Sequence, residues 1–98
     1  MLEIPDYPTR VALVSGASRG IGRGVAERLA RDFAGVAIVA RDEATLRETA
    51  ATIRDAGAEP LIIASDLRQA DAPAAAVART AAHFGRIDAL ATIAGAVA

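Results

Sequence analysis

Four short apolar runs, at residues 11–14, 36–39, 61–64 and 89–93, are continuous rather than alternating. That is the pattern of strands buried on both faces of a parallel sheet. The segments between them have helical period. Ile21, Val25 and Leu29 fall at i, i+4 and i+8; Leu46, Ala50 and Ile53 fall at i, i+4 and i+7, as do Val77, Ala81 and Phe84. Each set predicts one apolar stripe facing the sheet. Gly35, Gly57 and Gly85 follow the three helical segments, where a left-handed cap favours glycine. Asp42 and Asp71 stand where N-caps of the second and third helices belong, and Pro73 falls in a first turn, where its missing N–H breaks no intrahelical bond. The string β-α-β-α-β-α-β predicts an α/β fold: a Rossmann-like parallel sheet with right-handed crossovers and helices on both faces. A chain of 98 residues holds at most one small domain, read as a single partial dinucleotide-binding domain over residues 1–98 with residues 1–9 as an N-terminal arm.

Composition removes several functions. Hydrophobic residues make up 53% and charged residues 23%, enough apolar material for a core and against disorder throughout. With 11 basic and 12 acidic side chains there is no basic field to hold nucleic acid or anionic lipid. There is no cysteine and one histidine, His83, so thiolate chemistry is excluded and a metal cluster is not expected. All 11 basic residues are arginine, so no lysine amine exists for proton relay or Schiff-base chemistry. Glu3, Pro5, Asp6 and Pro8 replace the basic and apolar start of a secretory leader, and the longest apolar run, residues 89–98, falls short of the roughly 18 residues of a membrane span. The expectation is a cytoplasmic protein with neither nucleic acid nor membrane as partner.

The join between the first strand and the first helix reads Ser15-Gly16-Ala17-Ser18-Arg19-Gly20-Ile21-Gly22. Glycine there lets the backbone turn tightly and approach a ligand, while a helix opening near Gly20 aims free N–H groups and a positive dipole end at an anion. The spacing is G-x-x-x-G-x-G rather than G-x-G-x-x-G, and no G-K-[ST] follows, which excludes a triphosphate P-loop. A strand before and a helix after make this turn a candidate seat for a pyrophosphate.

With three later segments, the turn resembles the short-chain dehydrogenase/reductase family in its nicotinamide-binding half. Those segments are Val39-Ala40-Arg41, Asp66-Leu67 and Phe84-Gly85-Arg86-Ile87-Asp88, and the likeness runs from about residue 10 to residue 95. It implies a strand order of 3-2-1-4. It also implies that Gly16, Gly20, Ile21 and Gly22 line the pyrophosphate beside Ser18 and Arg19, that Ser15 holds the turn through its hydroxyl, and that Asp66 and Leu67 contact the adenine. Ala94 and Gly95 would allow close backbone approach on the nicotinamide ribose side. Cofactor choice follows from charge. An NAD site puts a carboxylate at the end of the second strand to accept from the ribose 2′-OH, and that carboxylate would repel a 2′-phosphate. Here the position is Arg41, and Arg19 supplies a second guanidinium; charge-assisted bonds of this kind contribute about 1.5 to 3 kcal/mol each. NADP(H) is therefore expected over NAD(H).

Plainer roles stand beside these. Asp42 serves as a helix N-cap in preference to a ribose acceptor, Asp66 has the alternative of capping the turn that follows it, His83 reads as a surface residue near a helix C-terminus, and Tyr7 as a packing residue of the arm. Two departures from the family pattern matter. The family transfers hydride with a Tyr whose proton is made labile by a Lys four residues on, helped by a Ser; no Lys exists here, and Tyr7 precedes the first strand. Where the family carries Asn-Asn-Ala-Gly, this chain has Thr92-Ile93-Ala94-Gly95. The reading is the NADP(H)-binding half of an oxidoreductase, cut before the Tyr/Lys segment and inactive by itself, with no catalytic residue assigned. Its alternatives are a non-catalytic nucleotide-binding or interaction module and a degenerate fragment. The edge of the fourth strand is expected to favour self-association.

Overall fold

The computed structural model describes residues 10–93. Strands β1 (Val11–Ser15), β2 (Gly35–Ala40), β3 (Glu59–Ala64) and β4 (Ala89–Thr92) alternate with helices α1 (Gly20–Leu29), α2 (Glu43–Asp55) and α3 (Ala72–Phe84). All strand pairs are parallel, as the continuous apolar runs predict, in the order β3-β2-β1-β4 that the family resemblance implies. The continuous apolar runs have a simple cause, because side chains alternate across a strand and both faces are covered. Val14, Val36 and Ile38 pack under α1 and α2 against Ala26, Leu46, Ala50 and Ile53. Leu13, Ala37, Val39 and Ile63 point the other way, toward Ala76 on α3.

Helix α2 follows the predicted stripe: Leu46, Ala50 and Ile53 are fully buried. Asp42 caps it, with Oδ1 accepting from the Ala44 N–H at 3.0 Å. The other two helices follow theirs only in part, with Val25 and Leu29 of α1 and Phe84 of α3 half-buried against the core. Ile21 is 77% exposed, and α1 buries Gly22 and Ala26 instead; Val77 is 43% exposed, and α3 buries Ala72, Ala76 and Thr80. Both helices approach the sheet on their smallest residues, which brings the backbones close and swings the bulkier stripe to the side. Thr80 tolerates burial because its hydroxyl donates to the Ala76 carbonyl at 2.8 Å.

Two predicted caps are also corrected. Gly35 is not a left-handed cap, since it opens β2 with a negative φ; it is small because a Cβ there would lie 2.4 Å from the Phe84 ring, the one large side chain α3 sends to the sheet. Asp71 occupies the N-cap position of α3 without capping, because its backbone is already right-handed helical (φ −96°, ψ −4°) and its carboxylate does not reach the first-turn amides. Gly85 does end α3 at φ 85°, and Pro73 lies in its first turn. Asp88 fixes the entry to β4: its N–H donates to the Val11 carbonyl at 2.8 Å, its Oδ2 accepts from the Val11 N–H at 2.9 Å, and Arg86 binds both carboxylate oxygens. Arg86 first, then the Val11 N–H, holds the Asp88 carboxyl below its usual range.

The burial pattern yields a test of which helix residues face the core. Ile53→Ala is expected to lower unfolding free energy by about 2–5 kcal/mol and Val77→Ala by about 0.5 kcal/mol or less, measured by denaturant titration.

Candidate functional site

The site is built where β1 turns into α1 at the C-terminal edge of the sheet. Gly16 takes φ 68°, and the amides of Gly16 and Ala17 both donate to the Val39 carbonyl of β2, at 2.9 and 3.3 Å. The turn is thereby bent across the neighbouring strand. Gly22 then brings the first turn of α1 against it so closely that a Cβ would lie 1.7 Å from the Gly16 carbonyl oxygen; a Cβ on Gly16 would lie 2.7 Å from the carbonyl oxygen of Ile93. Gly20 also has a positive φ, 64°, but open space around it. Arg19, the N-cap, is extended and makes no side-chain cap, so the amides of Gly20, Ile21 and Gly22 have no intrahelical acceptor. No acidic residue lies in that first turn. The opening of α1 thus presents N–H donors and a positive dipole end at the sheet edge, a fit for an anion of phosphate type.

One support was not anticipated from sequence. Thr49 of α2 is fully buried, and its hydroxyl donates 3.0 Å to the Ala17 carbonyl, fixing the middle of the turn from the neighbouring helix. The available signal was a polar residue inside an otherwise apolar stripe, between Leu46 and Ala50. Ser15 departs from expectation in the opposite sense. Its hydroxyl does not hold the turn; it accepts from the Ile93 N–H at 3.2 Å, because the two amides on Val39 already fix the turn and Ser15, the last residue of β1, lies beside the end of β4.

The remaining predicted residues gather around this opening to different degrees. Arg19 and Arg41 are exposed, and neither forms an ion pair with a described residue. Ser18 lies in the turn and is half-buried; Ile21 stands out into solvent. Leu67 is half-buried against the α3 face, bordering a hollow with Leu13, Val39, Val77 and Leu90. Asp66, after β3, accepts from the Arg68 N–H and pairs with its guanidinium. Those Arg68 bonds, side chain first and backbone second, pull its carboxyl down to about 2, with Arg41 adding to the field. Ala94, Gly95 and Tyr7 lie outside the described residues. Among the described residues no cluster of His, Cys, Asp and Glu is arranged to hold a metal, and no helix is long and apolar enough to cross a membrane.

Comparison with known proteins agrees with this architecture. The family model for short chain dehydrogenases matches residues 10–98. The chain belongs to the short-chain dehydrogenase family. Its relatives include the short-chain reductase protein NovJ of Streptomyces niveus, 48% identical over 93 residues, which cover 95% of this chain and 36% of NovJ. Among solved structures, a metagenomic short-chain oxidoreductase in complex with NADP superposes with a TM-score of 0.77 at 43% identity, covering 84% of this chain and 37% of that one. Carveol dehydrogenase of Mycobacterium avium in complex with NAD gives 0.81 at 30% identity, covering 88% and 35%. The chain therefore spans about a third of the length of the proteins it matches.

Two outcomes follow from the site geometry. Gly22→Ala forces a Cβ into backbone and is expected to cost about 3 kcal/mol or more, whereas Gly24→Ala, with open space at its Cβ, should stabilise α1 by about 0.5–1 kcal/mol; paired thermal melts separate them. The second concerns acid. Because the folded carboxyl of Asp66 titrates near 2 and its ordinary value is 3.8, its contribution to stability is present above about pH 4 and lost as pH falls toward 2. Melting temperature against pH should decline across that window less steeply in Asp66→Asn than in wild type.

Proposed function

We propose that these residues bind a nicotinamide dinucleotide, NADP(H) in preference to NAD(H), as the cofactor half of a short-chain reductase that moves hydride between carbonyl and hydroxyl groups. The observation that carries the reading is the glycine turn itself: an uncapped α1 N-terminus, held open at the sheet edge by Gly16, Gly22 and the buried Thr49 bond, with Arg19 and Arg41 exposed at its rim. The backbone amides at Gly20, Ile21 and Gly22 would take the pyrophosphate, with Ser15, Gly16 and Ser18 shaping the turn around it. Arg19 and Arg41 would take the 2′-phosphate. Asp66 and Leu67 would border the adenine, and Ala94 and Gly95 the nicotinamide side. Support comes from a neighbour solved with NADP, while another solved with NAD makes the arginines, rather than the fold, the ground for preference.

When bound, the nicotinamide supplies or accepts the hydride. Proton transfer has no candidate among these 98 residues, which contain no Lys and a single Tyr at Tyr7. In this reading residues 1–98 hold the cofactor without turning over substrate. The working partner is the dinucleotide, not nucleic acid or membrane, and the setting is cytoplasmic. Leu90 on β4, 61% exposed, supports self-association along that edge.

Fluorescence titration with NADPH and NADH tests the proposal. Wild type should favour NADPH by about tenfold or more, and Arg41→Asp should reverse the order, since one charge-assisted bond is worth about 1.5–3 kcal/mol. Failure of wild type to bind either nucleotide would mean that the turn does not serve a dinucleotide.

A further inference from the structure

We infer that Arg68 is a positioning residue that sets how strictly the site reads the adenine base, acting through Asp66. The inference rests on the cofactor reading above, in which Asp66 borders the adenine. Asp66 Oδ1 accepts from the Arg68 backbone N–H at 3.0 Å and from its Nε at 3.1 Å; Oδ2 accepts from the same Nε at 3.3 Å and from Nη2 at 3.0 Å. An ionised carboxylate offers about four lone-pair positions, and Arg68 alone engages three donors with them, its single Nε proton being shared between the two oxygens. The carboxyl, pulled to about 2, stays ionised at neutral pH, which keeps it acceptor-only and the clamp charged.

The pair is a surface device rather than a piece of core. The Arg68 side chain is 77% exposed and that of Asp66 27%. Two residues of separation make the clamp local, and the backbone bond orients the carboxylate before any ligand arrives. A donor on the base, such as the exocyclic amine of adenine, finds one open position on a carboxylate whose charge the guanidinium already offsets. The bond it gains is weaker than one to a free carboxylate. An oxo group at the same place on the base would meet the guanidinium instead of a bare carboxylate. Arg68 thereby blunts the preference for adenine that a free Asp66 would impose, and leaves most of the cofactor's affinity to the phosphates.

The test compares NADPH with its hypoxanthine counterpart, in which an oxo group replaces the exocyclic amine, by equilibrium titration of the purified protein. The ratio of the two dissociation constants cancels every shared phosphate contact. Wild type should prefer adenine by about threefold or less, and Arg68→Ala should raise that preference about tenfold. Arg68→Lys should fall between them, because an ammonium cannot span both oxygens in a fixed fork, and it supplies the readout if the alanine variant does not fold. The double variant Asp66→Ala/Arg68→Ala should return the ratio to the wild-type value. An unchanged ratio in the Arg68 variants, or an equal loss of affinity for both nucleotides, overturns the inference and leaves the cofactor reading standing. A wild type that binds neither nucleotide overturns both.

Discussion

The structure depends on one close approach: the backbone of α1 against the glycine turn, with the α-carbon of Gly22 directly over the Gly16 carbonyl. That contact sets the angle at which the first helix leaves the first strand, and the rest of the sheet edge is arranged to hold it. The Val39 carbonyl of β2 takes the amides of Gly16 and Ala17, and Thr49 of α2 donates to the carbonyl of the same Ala17. The turn is therefore bonded to an adjacent strand and to a helix that covers the same sheet face. Its stability is inseparable from that of the β1-α1-β2-α2 unit. A position that is buried, backbone-bonded and intolerant of a Cβ is costly to build. At a strand-to-helix turn, this cost is matched by the array of N–H donors that the turn leaves unpaired.

The second helix shows how packing and site support are combined. Its Leu46, Ala50 and Ile53 fill the core under β1 and β2, while Thr49, on the same buried side, reaches the turn. Thr52 then donates to Glu27 at 2.8 Å, and Arg23 binds the same carboxylate at 2.9 Å, so α1 and α2 are joined along their outer edges as well. Arg23 first, then Thr52, lowers the Glu27 carboxyl below its usual range and keeps it ionised. Exposed ion pairs of this kind contribute little individually to stability. Their use here is in orientation: they fix the rotation of α1 about its axis, and that rotation decides where the free amides of its first turn point.

Much of this was legible in the sequence because its signals are local. The four continuous runs required a sheet covered on both faces, and the glycine turn was readable because few residues other than glycine tolerate φ 68° at the end of a strand. What was not legible depended on helix rotation. Periodicity identifies a stripe by bulk hydrophobicity, and in α1 and α3 Ile21 and Val77 turn outward while Val25, Leu29 and Phe84 pack only partly against the core. Ala26 and Ala76 dock because small side chains allow the closer approach, a preference that hydrophobicity does not encode. Gly35 was misread for a related reason: the residue that requires its small size, Phe84, is 49 positions away in sequence and meets it only in the folded sheet. The role of Ser15 likewise depended on where β4 comes to lie beside it.

The arginines are distributed unevenly between the two ends of the helices. Arg28 and Arg54 lie in the last turns of α1 and α2, where the negative end of a helix dipole favours a cation. Arg19 and Arg41 occupy the opposite ends. Arg19 is the N-cap of α1 in place of the Ser, Thr, Asp or Asn that would normally satisfy the first-turn amides, and Arg41 immediately precedes Asp42, the N-cap of α2. Each cation sits at the positive end of a dipole, and Arg19 does so with no acidic residue in the following turn. Local physics opposes the placement of Arg19, which no ion pair among the described residues relieves, whereas Arg41 is offset by the field of Asp66 and by the acidic first turn of α2. Sites at which a chain breaks its own local rules are the ones a ligand would repair. An anion at the opening of α1 would reverse the sign of that unfavourable term, whereas a neutral ligand would leave it as it is.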